Sequence, residues 1–268
     1  MAGGNTKTLR VRIKSVSSTL QLTKAMGLVA SSKIRRANEA MMRAREYTAA
    51  LKSSISLLLS DRECASSPYV RINNTGKTKI FVIAGDRGLA GGYNANVFRL
   101  ASEYKGAEII PIGKRACEKN GKAINSSEKY SFDDAYAIAT ELCEQFAKGE
   151  FDRLGIISTK YRSIMTQEAE IEWILPFERV EREGGAGTIF EPDCKSVLEM
   201  SVREYVAGML TAAVRESFAC EVTARRMAMD SAGKNAKEMI DKLSLEYNRA
   251  RQGAITQEIT EIVAGSGN

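Results

Sequence analysis

Residues 13–58 read IKSVSSTLQLTKAMGLVASSKIRRANEAMMRAREYTAALKSSISLL, and this stretch decides the fold. Alternating steps of three and four residues from Ile13 to Leu58 meet no charged residue, although charged residues are frequent between the steps. A stripe that repeats every 3.5 residues predicts the seam of a left-handed coiled coil. No proline occurs before Pro68, so we predict one helix from about Asn5 to Ser60. The fourteen seam positions are Ile13, Val16, Leu20, Thr23, Gly27, Ala30, Ile34, Ala37, Met41, Ala44, Thr48, Leu51, Ile55 and Leu58.

The end of the chain repeats the same pattern and supplies a partner for this helix. No proline follows Pro192, and a second seam runs to Ala254, with a four-residue stutter at Ser217. We therefore predict a long antiparallel α-helical coiled coil formed by the N- and C-terminal helices. The predicted seam positions are Val202, Val206, Met209, Ala213, Cys220, Ala224, Met227, Met229, Gly233, Ala236, Ile240, Leu243, Tyr247, Ala250 and Ala254.

The predicted helix pair has little apolar surface of its own. Thr23, Gly27 and Ala30 occupy the middle of the first seam, and each buries far less than a Leu or Ile side chain, which contributes roughly 1.5–3 kcal/mol. A second apolar stripe, about 100° around the C-terminal helix from Ala254, contains Ile255, Ile259, Ile262 and Val263. One partner helix cannot cover both stripes. The pair therefore needs a surrounding apolar partner.

Composition excludes several classes of function. The chain has 268 residues, no histidine, and no apolar run long enough to cross a membrane. The lack of histidine excludes Ser–His and Cys–His nucleophile pairs and imidazole metal sites. No secretory or transit segment is recognisable, which favours a bacterial protein. The five cysteines are scattered, odd in number and never form C-x-x-C, so we expect free thiols. They are Cys64, Cys117, Cys143, Cys194 and Cys220.

The middle of the chain predicts a small Rossmann-like α/β domain with a mostly parallel sheet. Strands are predicted at 78–84, 107–113, 154–160 and 169–175, with helices at 95–104, 114–120 and 132–148. Pro111 marks the second strand as an edge strand or a strand terminus. We expect domains at 1–60 (first helix), 61–77 (linker), 78–180 (α/β domain), 181–195 (return loop) and 196–268 (last helix). Asp193 and Ser196 are both candidates to cap the last helix.

The loop GDRGLAGGYN, residues 85–94, lies between a predicted strand and a predicted helix. Glycines in that position can bring backbone N–H groups close to a phosphate. The loop lacks G-K-[ST], and its glycine spacing is not G-x-G-x-x-G, so it matches neither common nucleotide motif. A tight turn that exposes Asp86 and Arg87 to a partner is the better interpretation.

Three segments resemble the gamma subunit, or central stalk, of rotary F-type ATP synthases. They are TKAMGLVASSKIRRAN (23–38), GDRGLAGGYN (85–94) and EYNRARQGAITQEITEIVAGS (246–266). The resemblance implies a non-catalytic rotor shaft that turns inside a ring of three alpha and three beta subunits and couples transmembrane ion flow to ATP synthesis. It implies no catalytic residue, no cofactor and no metal in this chain. It also implies contacts with the epsilon subunit and the membrane c-ring, at the cytoplasmic face of a bacterial plasma membrane.

The resemblance further implies which residues touch the alpha/beta ring. Arg87 matches a position that faces an acidic lever loop of a beta subunit. Seam packing for Met26, and plain solvent exposure for Arg251 and Gln252, are the alternatives. The complete set of predicted contacts is Lys24, Met26, Arg87, Arg251, Gln252, Thr256, Gln257 and Glu261.

A basic coiled coil that binds nucleic acid is the alternative function. Residues 1–60 hold eleven Lys and Arg residues against two Glu residues, a net charge of +9 in a chain of net charge +6. A basic zipper, however, separates its basic region from its heptads, and here the two coincide. No aromatic residue precedes Tyr47 to stack on bases. A small α/β enzyme that uses the glycine loop is a third interpretation.

Overall fold

The computed structural model describes residues 2–61, 63–178 and 190–265. The chain divides into two compact units, one of residues 1–31 with 225–268 and the other of residues 32–224. Two long helices, α1 (Ala2–Leu59) and α5 (Cys194–Gly265), contribute to both units. No helix among the described residues is long and apolar enough to cross a bilayer.

The first unit is an antiparallel pair made of the start of α1 and the end of α5. The Arg10 guanidinium donates a hydrogen bond to the Tyr247 hydroxyl at 2.7 Å. At the other end of the unit, the Arg226 guanidinium donates to the Gly27 carbonyl at 3.2 Å. Low residue numbers in α1 therefore meet high numbers in α5, which confirms the antiparallel direction.

The predicted seam of the first helix is confirmed position by position. All fourteen predicted positions are buried or half-buried, whereas Lys24, Ala25 and Leu28 between them are exposed. A Cβ atom placed on Gly27 would lie 3.6 Å from the Met229 Cβ, so the two backbones approach closely there. The buried Thr23 hydroxyl donates to the Leu20 carbonyl at 2.9 Å, which satisfies its polar group inside the seam.

We expect Ala30→Phe to lower the free energy of unfolding by about 1–3 kcal/mol, because Ala30 is 4% exposed in this narrow part of the seam. Denaturant unfolding of the full chain, followed by circular dichroism, measures the loss. Ala25→Phe is the matched control, since Ala25 is exposed on the same helix. Equal effects of the two substitutions would contradict the close approach of the helices.

The second unit contains the α/β domain. Its strands are β1 (Thr78–Ile83), β2 (Glu108–Ile112), β3 (Arg153–Tyr161) and β4 (Gln167–Leu175). The sheet order is β2-β1-β3-β4, with β1 parallel to both of its neighbours and β4 antiparallel to β3. The prediction of a mostly parallel sheet is confirmed, and Pro111 lies in an edge strand as expected.

Helices cover both faces of this sheet. They are α2 (Tyr93–Ala101), α3 (Lys114–Asn120) and α4 (Phe132–Ala147). Ile80 and Val82 pack with Val97 of α2 on one face, because alternate strand residues point to opposite sides. Phe81 and Ile83 belong to the larger core on the other face, which also includes α4 and parts of α1 and α5.

Local hydrogen bonds fix where two helices begin. At α4, the Ser131 hydroxyl accepts from the Asp134 amide at 3.1 Å, and the Asp134 carboxylate accepts from the Ser131 amide at 2.9 Å, forming a capping box. At α5, the Asp193 carboxylate accepts from the Ser196 amide at 2.8 Å. Of the two candidates, Asp193 and Ser196, Asp193 is therefore the residue that caps α5. Residues 181–189 of the predicted return loop (181–195) lie outside the described residues.

The prediction of five free thiols is wrong for two of them. Cys64 and Cys194 form a disulfide, with their Cα atoms 6.2 Å apart. The chain separates them by 130 residues, and only the packing of the start of α5 beside the segment after α1 brings them together. Cys117, Cys143 and Cys220 are free and buried, and burial raises the pKa of Cys143 and of Cys220 to about 12.

Candidate partner-binding site

The two predicted contact residues on α1 lie on different sides of the helix. Lys24 is exposed, whereas Met26 is half-buried beside the seam residue Gly27. Lys24 is thus available to a partner, and Met26 divides its surface between the seam and solvent. The structure is compatible with both interpretations of Met26.

The five predicted contact residues on α5 are all exposed. The Thr256 hydroxyl donates to the Gln252 carbonyl at 3.0 Å, and the Gln257 amide donates to the Glu261 carboxylate at 2.9 Å. These bonds run along one helix, so the outer face stays open. Since Gly27 meets Met229 and Arg10 meets Tyr247, Lys24 and the five α5 residues lie at different levels of the pair, roughly 30–45 Å apart at 1.5 Å per residue.

The second apolar stripe of α5 is exposed. Ile255 is 46% exposed and Ile262 is 70% exposed, with Ile259 and Val263 between these values. An apolar strip of this kind at the end of a helix is typical of a protein–protein contact. The first unit therefore presents both the predicted polar contact residues and an apolar surface that its own helices do not cover.

The glycine loop of the second unit is braced by its own side chains. The Asn94 side chain accepts from the Gly85 amide at 2.9 Å and donates to the Arg87 carbonyl at 3.2 Å. Leu89 has a φ of 61°, which is unusual for a residue with a side chain, and its side chain is 62% exposed. The loop is therefore a tight turn that holds Arg87 and Leu89 outward.

Asp86 is half-buried, contrary to the prediction that the turn exposes it. Its carboxylate accepts hydrogen bonds from three backbone amides, those of Lys114 at 3.1 Å, Ser127 at 2.9 Å and Glu128 at 3.3 Å. The Ser126 hydroxyl also donates to it. Burial alone would raise the pKa of Asp86, but these donors lower it below its ordinary value. Asp86 fixes the loop to the segments beside it, and Arg87 alone of the two is exposed.

Buried polar residues of α5 support the same region, and the sequence analysis missed them. Glu216, Ser217 and Glu221 are 7%, 1% and 3% exposed. The hydroxyls of Ser217 and Tyr93 are 2.8 Å apart, and a Cβ atom on Gly85 would come within 2.9 Å of the Glu221 carboxylate oxygens. These polar residues lie among apolar residues at helical spacing, and that pattern is the sequence feature that could have predicted their burial.

Glu216 is also part of a chain of ion pairs that joins both long helices to the sheet. Its carboxylate lies 2.6 Å from the Arg45 guanidinium and 3.7 Å from the Lys160 ammonium. Lys160 and Lys52 each lie 2.7 Å from the Glu172 carboxylate. Burial tends to raise the pKa of Glu172, but the hydrogen bonds from the two lysines lower it. These pairs hold α1, α5, β3 and β4 in one arrangement.

Two long helices paired antiparallel, with a small α/β domain inserted between them in the sequence, define the central-stalk class of protein. A family model described as ATP synthase matches residues 5–267. The chain belongs to the ATP synthase gamma chain family. The gamma chain of Ruminococcus albus is 43% identical over 282 residues, which cover 98% of both chains. A gamma chain described as sodium ion specific, from Acetobacterium woodii, is 35% identical over 98% of both chains.

Solved structures have the same fold. A chain of the Euglena gracilis mitochondrial ATP synthase matches with a TM-score of 0.68 and 18% identity, over 98% of this chain and 94% of that one. A central-stalk chain from Tetrahymena thermophila matches with a TM-score of 0.61 and 22% identity, over 79% of this chain and 99% of that one. The predicted fold class is confirmed.

Proposed function

We propose that this chain is the rotor shaft of an ATP synthase and couples transmembrane ion flow to ATP synthesis or hydrolysis. The observation that carries the proposal is the exposed apolar stripe of Ile255, Ile259, Ile262 and Val263. The tip of the shaft is the end of α5, where α1 does not cover the apolar stripe. A ring of subunits around this tip would cover the stripe. Family membership over nearly the whole chain supports this interpretation over nucleic-acid binding.

The partners in this proposal are the alpha and beta subunits, the epsilon subunit and the membrane c-ring. Lys24, Met26 and the exposed residues of α5 contact the alpha/beta ring at two levels. Arg87 contacts an acidic loop of a beta subunit, and the exposed Leu89 beside it adds an apolar contact. The two terminal segments, 1–60 and 196–268, form the shaft, and the α/β domain, assigned to 78–180, forms the body.

The chain itself performs no chemistry in this proposal, and catalysis belongs to the beta subunits. Its work is conformational: each catalytic site meets a different side of the shaft, and differential contacts bias the three sites towards different states. The complex places the chain at the cytoplasmic face of the plasma membrane as a peripheral subunit. The ion pairs between α1, α5 and the sheet stiffen the second unit against torque.

Purification of the tagged chain from detergent-solubilised membranes tests this proposal. We expect alpha, beta and epsilon subunits and the c-ring to copurify in a complex that hydrolyses ATP. Recovery of nucleic acid without these subunits would contradict the rotor and favour the alternative function.

The contact residues are tested by the double substitution Arg251→Ala and Gln252→Ala. We expect ATP-driven ion pumping in membranes to fall several-fold while the complex still assembles, because both side chains are exposed and their removal costs the fold less than about 0.5 kcal/mol. Fluorescence quenching of a membrane-potential dye measures the pumping.

The matched control for this prediction is Lys77→Ala with Asn74→Ala. Both residues are exposed in the second unit and lie outside the proposed contact set, and the change removes the same charge. Equal pumping by the double variant and the unsubstituted complex would rule out these contacts.

A further inference from the structure

The second unit contains a cavity of about 980 Å³ that opens to solvent where β3 begins and β4 ends. This volume falls within the range of small-molecule sites, roughly 300–1,000 Å³. Its apolar walls come from Val70, Ile174, Leu175 and Phe177. The Phe177 ring packs edge-on against Tyr205 with their centroids 5.3 Å apart, which gives this part of the cavity an aromatic floor.

Two arginines line the same cavity. Arg71 and Arg153 are both exposed, and neither has a carboxylate partner among the described residues. The Arg153 guanidinium carbon lies 4.0 Å from the centroid of the Trp173 ring, so the indole face orients the guanidinium. Glu178 is the one acidic residue among the described residues that line the cavity. The described lining therefore has a net charge of +1.

A third polar group lies at the aromatic floor. Tyr205 is 8% exposed, and its hydroxyl has no hydrogen-bond partner among the described residues. Burial, the main cause, together with the charge of Glu172 raises the pKa of Tyr205 to about 12, so the phenol remains a neutral donor at physiological pH. The Tyr205 oxygen is not among the buried polar atoms that lack a partner, so it stays open to the cavity, where a ligand acceptor can reach it.

We propose that this cavity binds a small amphiphilic anion, namely a phosphate group carried on an apolar body. Two guanidinium groups and a phenol offer more donors than the two oxygens of a carboxylate can use, whereas a phosphate accepts from several donors at once. The apolar body packs on Phe177 and on the half-buried Val70. An anionic phospholipid and a soluble phosphorylated apolar molecule share this chemistry.

Trp173 provides the measurement, because it is the only tryptophan in the chain and lines the cavity. The full chain is titrated with dihexanoylphosphatidic acid below its micellar concentration, and tryptophan fluorescence is recorded. We expect a saturable change. Arg71→Gln should weaken binding at least tenfold, since a charge-assisted pair is lost, and Tyr205→Phe should weaken it a few-fold.

Arg36→Gln is the matched control, because Arg36 is exposed on α1 and does not line the cavity. It should leave the affinity unchanged. Equal affinities of the Arg71→Gln and Arg36→Gln chains would overturn the proposal, as would the lack of a saturable change. A further test uses the unsubstituted chain. Equal affinity for dihexanoylphosphatidylcholine, which has no net charge, and for dihexanoylphosphatidic acid would also overturn the proposal.

Two further probes separate the sources of the ligand. Inorganic phosphate should bind far more weakly than the amphiphile, and equal affinity would show that the apolar floor contributes nothing and overturn the proposal. Sedimentation with vesicles that contain phosphatidic acid, lost on Arg71→Gln, would support the site and assign it to a membrane lipid. Binding of the soluble probe without binding to vesicles would support the site and assign it to a free ligand.

Discussion

Gly113→Ala is expected to lower the free energy of unfolding of the second unit by about 3–5 kcal/mol. Gly113 has a φ of 92°, and a Cβ atom there would lie 1.9 Å from the carbonyl oxygen of Ala84. That oxygen belongs to the backbone and cannot rotate away. The residue also donates its amide to the Asn125 side chain at 2.7 Å, and a shift of the backbone would break this bond.

Urea unfolding followed by Trp173 fluorescence measures this loss, because Trp173 lies in the same unit. Gly106→Ala is the matched control. Gly106 has the same φ of 92°, but nothing lies within 4 Å of its Cβ position. It should lose only the cost of backbone strain, about 1–3 kcal/mol. If Gly113→Ala and Gly106→Ala lower the free energy of unfolding equally, the predicted clash with Ala84 does not contribute to the loss.

Glu216→Ala is expected to cost about 3 kcal/mol, at the lower end of the range for breaking a buried ion pair. The substitution removes the partner of Arg45 and the acceptor of the Tyr161 amide, which lies 2.9 Å away. The loss of stability is at the lower end because solvent can reach the Arg45 side chain, which is 42% exposed. Lys160 also retains its ion pair with Glu172. Glu216→Gln should cost less, since it can still accept from the Tyr161 amide.

The matched control is Glu170→Ala, which removes an exposed partner of Arg162. Their side chains are 36% and 56% exposed, so the loss should lie within about 1 kcal/mol. Thermal unfolding of the unsubstituted chain and of the Glu216→Ala, Glu216→Gln and Glu170→Ala chains measures the loss of stability in each. A loss from Glu216→Ala no larger than that from Glu170→Ala would mean that the buried network does not stabilise the unit.

Sequence reasoning predicted the elements of this fold well where the pattern was local. The seam of α1 and the amphipathic face of α4 depend on residues three or four apart, so the periodicity contains the information. The same reasoning placed β4 two residues late, starting at Ala169 instead of Gln167. The first residues of β4 show only a weak alternation of polar and apolar residues, because this edge strand is mostly half-buried. The start of the strand was therefore hard to recognise.

The predicted site was accessible to sequence reasoning only in part. The exposure of Arg87 followed from its place in a tight turn, and that of the predicted α5 contact residues from their positions outside the seam. The inward turn of Asp86 did not, because its donors lie 28 or more residues further along the chain. The two arginines of the cavity are separated in the same way, at positions 71 and 153, and no motif connects them.

The sequence by itself determined the two long helices, their apolar seams, the order of strands and helices, and the exposed stripe at the end of α5. These features depend on periodicity and on proline placement within short windows. Only the tertiary structure decided the Cys64–Cys194 disulfide, the ion pairs of Glu216 and the composition of the cavity. Each of these joins residues far apart in the chain, and their meeting depends on how the packed elements bring distant segments together.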